Sequence, residues 1–344
     1  MSRKAQDVLK IFITVDVELW PGQPDWPDSP LCRGSFDFES AYNIYVLGKT
    51  AQGDFGLSRQ LEILGQNDLK ATIFVESLYS YIAGKDYLVD TVDRVRRAGQ
   101  EIGLHPHTEW LGELKADGLT GFCFKRFMHE YSKSEQVSIL RLAKERLEEC
   151  GGSAFPVHRA GNFGANLDTL LALKEIGIRC DSSLNSTFVH SFPDILRIPH
   201  GLEPVSHSGV LEFPVSNFIV YRNRPRHAQI NASGFDELRI ALLSAWRARS
   251  RSFSIFLHSF EFLQRSNGKE GARAILISQY LRRFERLCQF LSRNRDRFVT
   301  ATFAEAMSAD VPKDLCPLGD ATIKVPFWAT GRRYIEQFAV NYSL

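Results

Sequence analysis

The 344-residue chain has no run of about eighteen consecutive apolar residues, the length a helix needs to cross a bilayer. It has no charge excess either: 42 Lys and Arg stand against 40 Asp and Glu, a formal net charge of +2. That balance excludes the electrostatic footprint expected of a protein that tracks nucleic acid or coats an anionic membrane. Cysteine is scarce and scattered, with Cys32, Cys123, Cys150, Cys180, Cys288 and Cys316 forming no CxxC pair. This spacing argues against both a disulfide framework and a thiolate zinc site. Internal repeats, low-complexity tracts and a clear domain linker are missing as well. The polar opening MSRKAQDVLK is followed by only a short apolar run, Ile11 to Ile13, which does not match the make-up of a secretory leader. The expectation is a cytoplasmic, enzyme-sized globule without a membrane span.

The chain does have ample material for a core, with 44% hydrophobic residues, and a regular alternation of element types. Short β-branched or aromatic runs occur at Leu9 to Val15, Ala71 to Val75, Glu101 to Leu104, Phe155 to His158, Ile178 to Asp181, Val210 to Val215, Ser252 to Leu257 and Phe298 to Ala301, with helix-period segments between them. Ser132 with Glu135, Ser233 with Asp236, and Thr302 with Glu305 read as helix starts, while Gly99 and Gly151 read as stops. The pattern predicts an α/β fold, a distorted (β/α) barrel of seven to eight parallel strands over residues 1–310. A long loop at 20–54 leaves the first strand, and residues 311–344 read as an extension packed on the barrel. Trp20 and Trp26 in that loop can offer flat faces to a sugar ring.

Polar signatures gather where these strands end, which is where a barrel of this kind builds its active site. Asp16 and Glu18 follow the first strand with a period that puts both on one side, so both carboxylates can address one cation. His105 and His107 close the third strand with Glu109 two residues on, a mixed nitrogen and oxygen set suited to zinc or a similar ion. Arg159, after Phe155 to His158, can hold Asp16 ionised, and the glycines flanking Asn162 and Phe163 permit close backbone approach to a ligand. His258, with Glu261 nearby, has an imidazole suited to proton transfer near neutral pH.

The order Thr-x-Asp, Glu-Ile-Gly-x-His, Arg-x-x-x-Phe-Gly and Leu-His resembles the polysaccharide deacetylase family, the NodB-homology or carbohydrate esterase family 4 group, from about Ile11 to Glu305. The resemblance implies a metal-dependent N-deacetylase acting on an N-acetylated sugar or glycan precursor. It implies a divalent ion, zinc first, with cobalt, nickel or manganese as alternatives. In that family the first motif is Asp-Asp, base then ligand. Asp16 matches the base, Val17 stands where the ligand belongs and cannot bind metal, and Glu18 is the natural substitute, although which acid binds and which abstracts a proton stays open. His105 matches the first histidine of the second motif and Glu109 occupies the place of the second, so His107 or Glu109 fills that role, with His107 preferred on ligand type. Arg159 matches the arginine that orients the base, and His258 the histidine that protonates the leaving amine; Leu211 to Val215 lacks the Asp and Trp of the fourth motif. The resulting assignment is Asp16, Arg159 and His258 as catalytic, Glu18, His105 and His107 as ligands, and Trp20, Asn162 and Phe163 as substrate-binding. Hydrolysis of another carbon–nitrogen bond, allantoinase-like or cyclic imidase-like, and a glycan-binding barrel without activity are the alternatives.

Overall fold

Buried on both faces, the apolar run from Leu9 becomes the hub of a parallel sheet, as such a run must when helices cover it. The computed structural model describes residues 8–21, 23, 25–32, 36–152, 155–188, 190–193, 203–268, 271–308 and 322–342. Its main strands are β1 (Leu9–Val17), β2 (Thr72–Val75), β3 (Glu101–Leu104), β4 (Val157–His158), β5 (Cys180–Asp181), β6 (Val205–His207), β7 (Val210–Glu212), β8 (Asn217–Val220), β9 (Arg224–His227), β10 (Ser252–His258) and β11 (Phe298–Thr300). The longer helices are α1 (Leu57–Gln66), α2 (Asp86–Arg97), α3 (Lys133–Glu149), α4 (Leu167–Glu175), α5 (Phe235–Arg247), α6 (Ser278–Arg293), α7 (Phe303–Ser308) and α8 (Phe327–Tyr342).

The sheet runs β10-β1-β2-β3-β4-β5-β7-β6, with β11 pairing the first residues of β1. Eight of these strands are parallel and β6 alone is antiparallel, to β7. The expected distorted barrel is therefore present. It is a curled sheet: just past β7, Val215 N–H donates to the Leu184 carbonyl after β5 at 2.9 Å, and the next residue reaches β10, Ser216 N–H donating to the Ser254 carbonyl at 3.1 Å and Ser254 N–H to the Ser216 hydroxyl at 2.9 Å. All eight expected strands appear within a few residues of their predicted bounds. Four antiparallel pairings were not foreseen: β6 with β7, β8 with β9, Leu263–Gly268 with Gly271–Leu276, and Lys49–Thr50 with Gly53–Asp54.

One end of the lumen is plugged by aromatics. Phe303 of α7 stacks on Phe12 with centroids 4.5 Å apart, and Phe74 and Phe213 close the cluster. Gly103 is required here, since a Cβ at that position would lie 2.6 Å from the Phe74 ring. Around the sheet, Ser132 and Glu135 exchange the reciprocal bonds of a capping box, and Glu305 and Thr302 do likewise. The start expected at Ser233 falls one residue later: its hydroxyl donates to the His227 carbonyl, so Gly234 begins α5 and Glu237 accepts its N–H.

The loop after β1 is built, with a helix at Phe38–Tyr42 and a small antiparallel pair at Lys49–Thr50 and Gly53–Asp54. Glu113 ties it down, accepting from Trp26 Nε1 and Leu31 N–H. Cys316 and Pro317, part of the expected extension, lie outside the described residues. Beyond them α8 buries Ala329, Thr330 and Arg333, and Arg332 reaches Asp236 at 2.9 Å. No helix among the described residues is long and apolar enough to cross a membrane.

Candidate metal centre

Strand alternation sends Thr14, Asp16 and Glu18 toward the lumen, while Val15 and Val17 join the hydrophobic core outside it. Register then brings the chemistry together, because Asp16 pairs with His258 of β10 and Leu104, just before His105, pairs with His158, just before Arg159. Glu18, His105 and His107 each offer a donor atom within 4.8 Å of the others, all three buried. Asp16, Glu18 and His258 form a second such group sharing Glu18.

Hydrogen bonding fixes which way the lone pairs point. His105 Nδ1 lies 2.8 Å from the Arg159 carbonyl, which can only accept, so this nitrogen carries the proton. His107 Nδ1 lies 3.1 Å from a Glu109 oxygen and donates to it. In neutral imidazoles the two Nε2 atoms are therefore bare, yet they sit 3.3 Å apart and each 3.1 Å from Glu18 Oε1. Three lone pairs turned on one point repel unless a positive charge lies between them. The spacings of 3.1–3.3 Å come within a few tenths of an ångström of the edge of a tetrahedron whose ligands stand about 2.0–2.2 Å from a zinc ion, roughly 3.3–3.6 Å. The donor set thus fits a divalent ion, and the proton is its competitor. Burial opposes charge on His107, but Glu18 and Glu109 outweigh it and hold the imidazole well above its ordinary value. Burial likewise disfavours the Glu18 anion, yet His107 and His258 hold it well below the usual carboxylate range.

The surrounding residues lock this geometry, as outer partners of metal ligands do. Glu109, an alternative ligand by sequence, instead accepts from His107 and, at 2.6 Å, from Asn162 Nδ2. Trp20 is turned to Glu18, its indole N–H donating to Oε2 at 2.7 Å. Asn162 and Phe163 both hold positive φ, at 53° and 56°, in the turn after β4. Gly161 leaves room for a ring: a Cβ there would lie 2.8 Å from His107.

Arg159 is fully buried and spans the lumen. It donates to Asp16 at 2.7 Å and Thr14 at 2.9 Å from Nη1, and to both oxygens of Ser182 from Nε and Nη2. His258 is the most open member, with 22% of its side chain exposed; Nδ1 faces Glu261 at 3.2 Å and Nε2 faces Glu18 at 3.7 Å. Burial pulls its pKa down, but Glu18 and Glu261 push it up to about 9.

These groups share a cavity of about 580 Å³ with Trp20, Trp26, Phe127, Phe163, Phe188 and Phe256. All nine expected site residues border it or support its wall. The sequence had no signal for Phe127 or Phe188, which arrive from long connections with neither period nor motif. Gln229, which approaches His258 Nδ1 at 3.4 Å, was equally silent.

No family model and no curated protein matches the sequence. Solved structures do resemble it. A polysaccharide deacetylase structure from Mycobacterium smegmatis is 19% identical, with a TM-score of 0.56 over 93% of this chain and 97% of that one. A 4-alpha-glucanotransferase from Thermococcus litoralis, 13% identical, has a TM-score of 0.51 over 93% of this chain and 42% of that one. A family 4 carbohydrate esterase from Streptomyces lividans is 12% identical, with a TM-score of 0.38 over 85% and 92%. The chain has the fold of the polysaccharide deacetylases.

Proposed function

We propose that the protein is a metal-dependent hydrolase, an atypical member of the polysaccharide deacetylase family, that removes an acetyl or similar acyl group from the nitrogen of a sugar or glycan precursor. A fold that a deacetylase shares with a glucanotransferase does not choose a chemistry, so the site must. The observation that carries the reading is the convergence of two imidazole Nε2 atoms and a carboxylate oxygen on one buried point. Glu18, His105 and His107 would hold the ion, zinc first on this nitrogen-rich donor set. When bound, it supplies Lewis acidity, polarising an acyl oxygen and acidifying water.

The chain's own groups move the protons. Asp16, its charge fixed by Arg159, takes one from the attacking water. His258, its ring held by Glu261, gives one to the departing amine. Phe163 and the other cavity aromatics present flat apolar faces to the substrate. They also support a second reading, hydrolysis of a planar ureide or cyclic imide, whose flat ring such faces would stack against.

His105→Ala tests the proposal. Bound zinc measured by elemental analysis should fall below stoichiometric, and hydrolysis of an N-acetylhexosamine oligomer should drop by more than about a hundredfold, beyond what loss of an outer partner costs. Unchanged metal content and turnover would refute it. Activity on allantoin-like compounds alone would choose the second reading.

A further inference from the structure

The helix α8 wears its apolar side outward. Its inward face is Ala329, Thr330 and Arg333, and the opposite stripe is Phe327, Trp328, Gly331, Tyr334 and Ile335. Phe327 is 73% exposed, Ile335 72%, Tyr334 56% and Trp328 48%. A surface helix normally turns such residues to the core, and a contiguous apolar stripe facing solvent marks an interaction site. The stripe continues onto the β8–β9 hairpin. Ile219 N–H donates to the Ile323 carbonyl and its own carbonyl accepts from Val325 N–H, which brings Tyr221, 56% exposed, beside the start of α8. Half of the large apolar side chains exposed among the described residues belong to this one patch.

The charge around it has one sign. Arg222, Arg224 and Lys324 are exposed and have no acidic partner among the described residues. The neighbouring acids are already engaged: Asp236 by Arg332, Glu237 by Arg226 and Glu336 by Arg283. A second copy seated symmetrically on this face would set arginine against arginine. We propose that the patch docks the protein on an anionic phospholipid surface, with Phe327, Trp328, Tyr334, Ile335 and Tyr221 entering the headgroup layer and Arg222, Arg224 and Lys324 facing its phosphates. An aromatic helix face flanked by basic residues, here from the adjoining hairpin and the segment before α8, has the make-up of a surface that lies in the membrane interface. The net charge of +2, which argued against such a surface at the level of composition, averages over the molecule and hides a local excess. The hairpin also touches the cavity wall, since His227 packs on Phe188 and Phe256.

The test uses the metal-loaded full chain, sedimented with vesicles of phosphatidylcholine containing about 30% phosphatidylglycerol and with vesicles of phosphatidylcholine alone. Wild type should bind the anionic vesicles, less so as salt rises, and bind neutral ones at least tenfold more weakly (roughly; the basic groups each contribute near the surface). The double variant Phe327→Ser, Ile335→Ser should lose binding about tenfold or more while its circular dichroism melt stays in place. Arg222→Ser with Arg224→Ser should weaken binding and flatten its salt dependence. Failure of the wild type to bind anionic vesicles overturns the proposal. So does binding that both variants leave intact, or light scattering that finds a dimer which Phe327→Ser, Ile335→Ser converts to monomer. None of these variants touches the metal donors, so hydrolysis of a water-soluble substrate reads out separately.

Discussion

Two clusters of histidine and carboxylate lie buried on the same sheet, and only one has the shape of a metal site. In the lumen, Glu18, His105 and His107 turn their ligand atoms on one point. On the other face, at matching registers of β4, β5 and β7, stand His158, Asp181 and Glu212, all fully buried. Here the oxygens of Asp181 and one oxygen of Glu212 are already met by donors. Asp181 accepts from His158 Nδ1 at 2.7 Å and from the Ser183 hydroxyl at 2.8 Å, and Glu212 accepts from Leu184 N–H at 2.9 Å. The other Glu212 oxygen has no hydrogen-bond partner, and the two acids lie close enough to bond through a shared proton. Burial and then Asp181 hold Glu212 well above the carboxylate range, whereas His158 holds Asp181 below it against burial. The second cluster is a clamp on the connection from Ser183 to Ser191, which brings Phe188 to the cavity. Residue types alone do not make a metal centre; the direction of lone pairs does.

The contrast is sharpest in stability. Asp181→Ala removes the partner of a buried imidazole and should cost about 3–5 kcal/mol in urea melts, with zinc stoichiometry of the folded fraction intact. A loss of metal at full stability would erase the distinction between the clusters. In the lumen, Glu109→Gln should keep the fold and weaken metal affinity by about 10–100-fold in competition with a chelator, because His107 loses its charged orienting partner. The smallest effect concerns pH. Glu212 is raised in the fold, so its contribution to stability is complete below the unfolded carboxylate pKa of about 4.3 and is lost as pH rises toward the folded value. Asp181 is lowered and acts oppositely, stabilising above about 3.9 and losing that contribution as pH falls. Glu212→Gln mimics the protonated acid, so it should gain steadily on wild type as pH rises above the unfolded carboxylate value of about 4.3. A difference that stays flat across this range would mean that Glu212 is already ionised.

The fold was legible because each buried parallel strand carries its own apolar run, and the capping pairs mark their helices without help from the rest of the chain. The donors of the site were legible for a related reason, since a polar residue directly after such a run is costly unless something pairs with it. What could not be read was the partner of each group. Glu109 takes the motif position and His107 the better ligand type, and no spacing reveals that Glu109 bonds both His107 and Asn162. Trp20, expected to face substrate, lines the cavity and also donates its indole N–H to Glu18, a bond that no periodicity foretells. By sequence His158 is only the residue before Arg159; its clamp forms with residues 23 and 54 positions later, a pairing fixed by sheet register alone.

Val17, caught between the two acids of β1, is 3% exposed and lies among the core side chains on the outer side of the strand. An attempt to restore consecutive aspartates by Val17→Asp would therefore drive a carboxylate into hydrocarbon instead of adding a fourth donor. The pleat permits acids on this strand to migrate only by even steps. Anyone wishing to retune the reactivity of the barrel has Thr14, Asp16 and Glu18 to work with, and the intervening valines are closed to them.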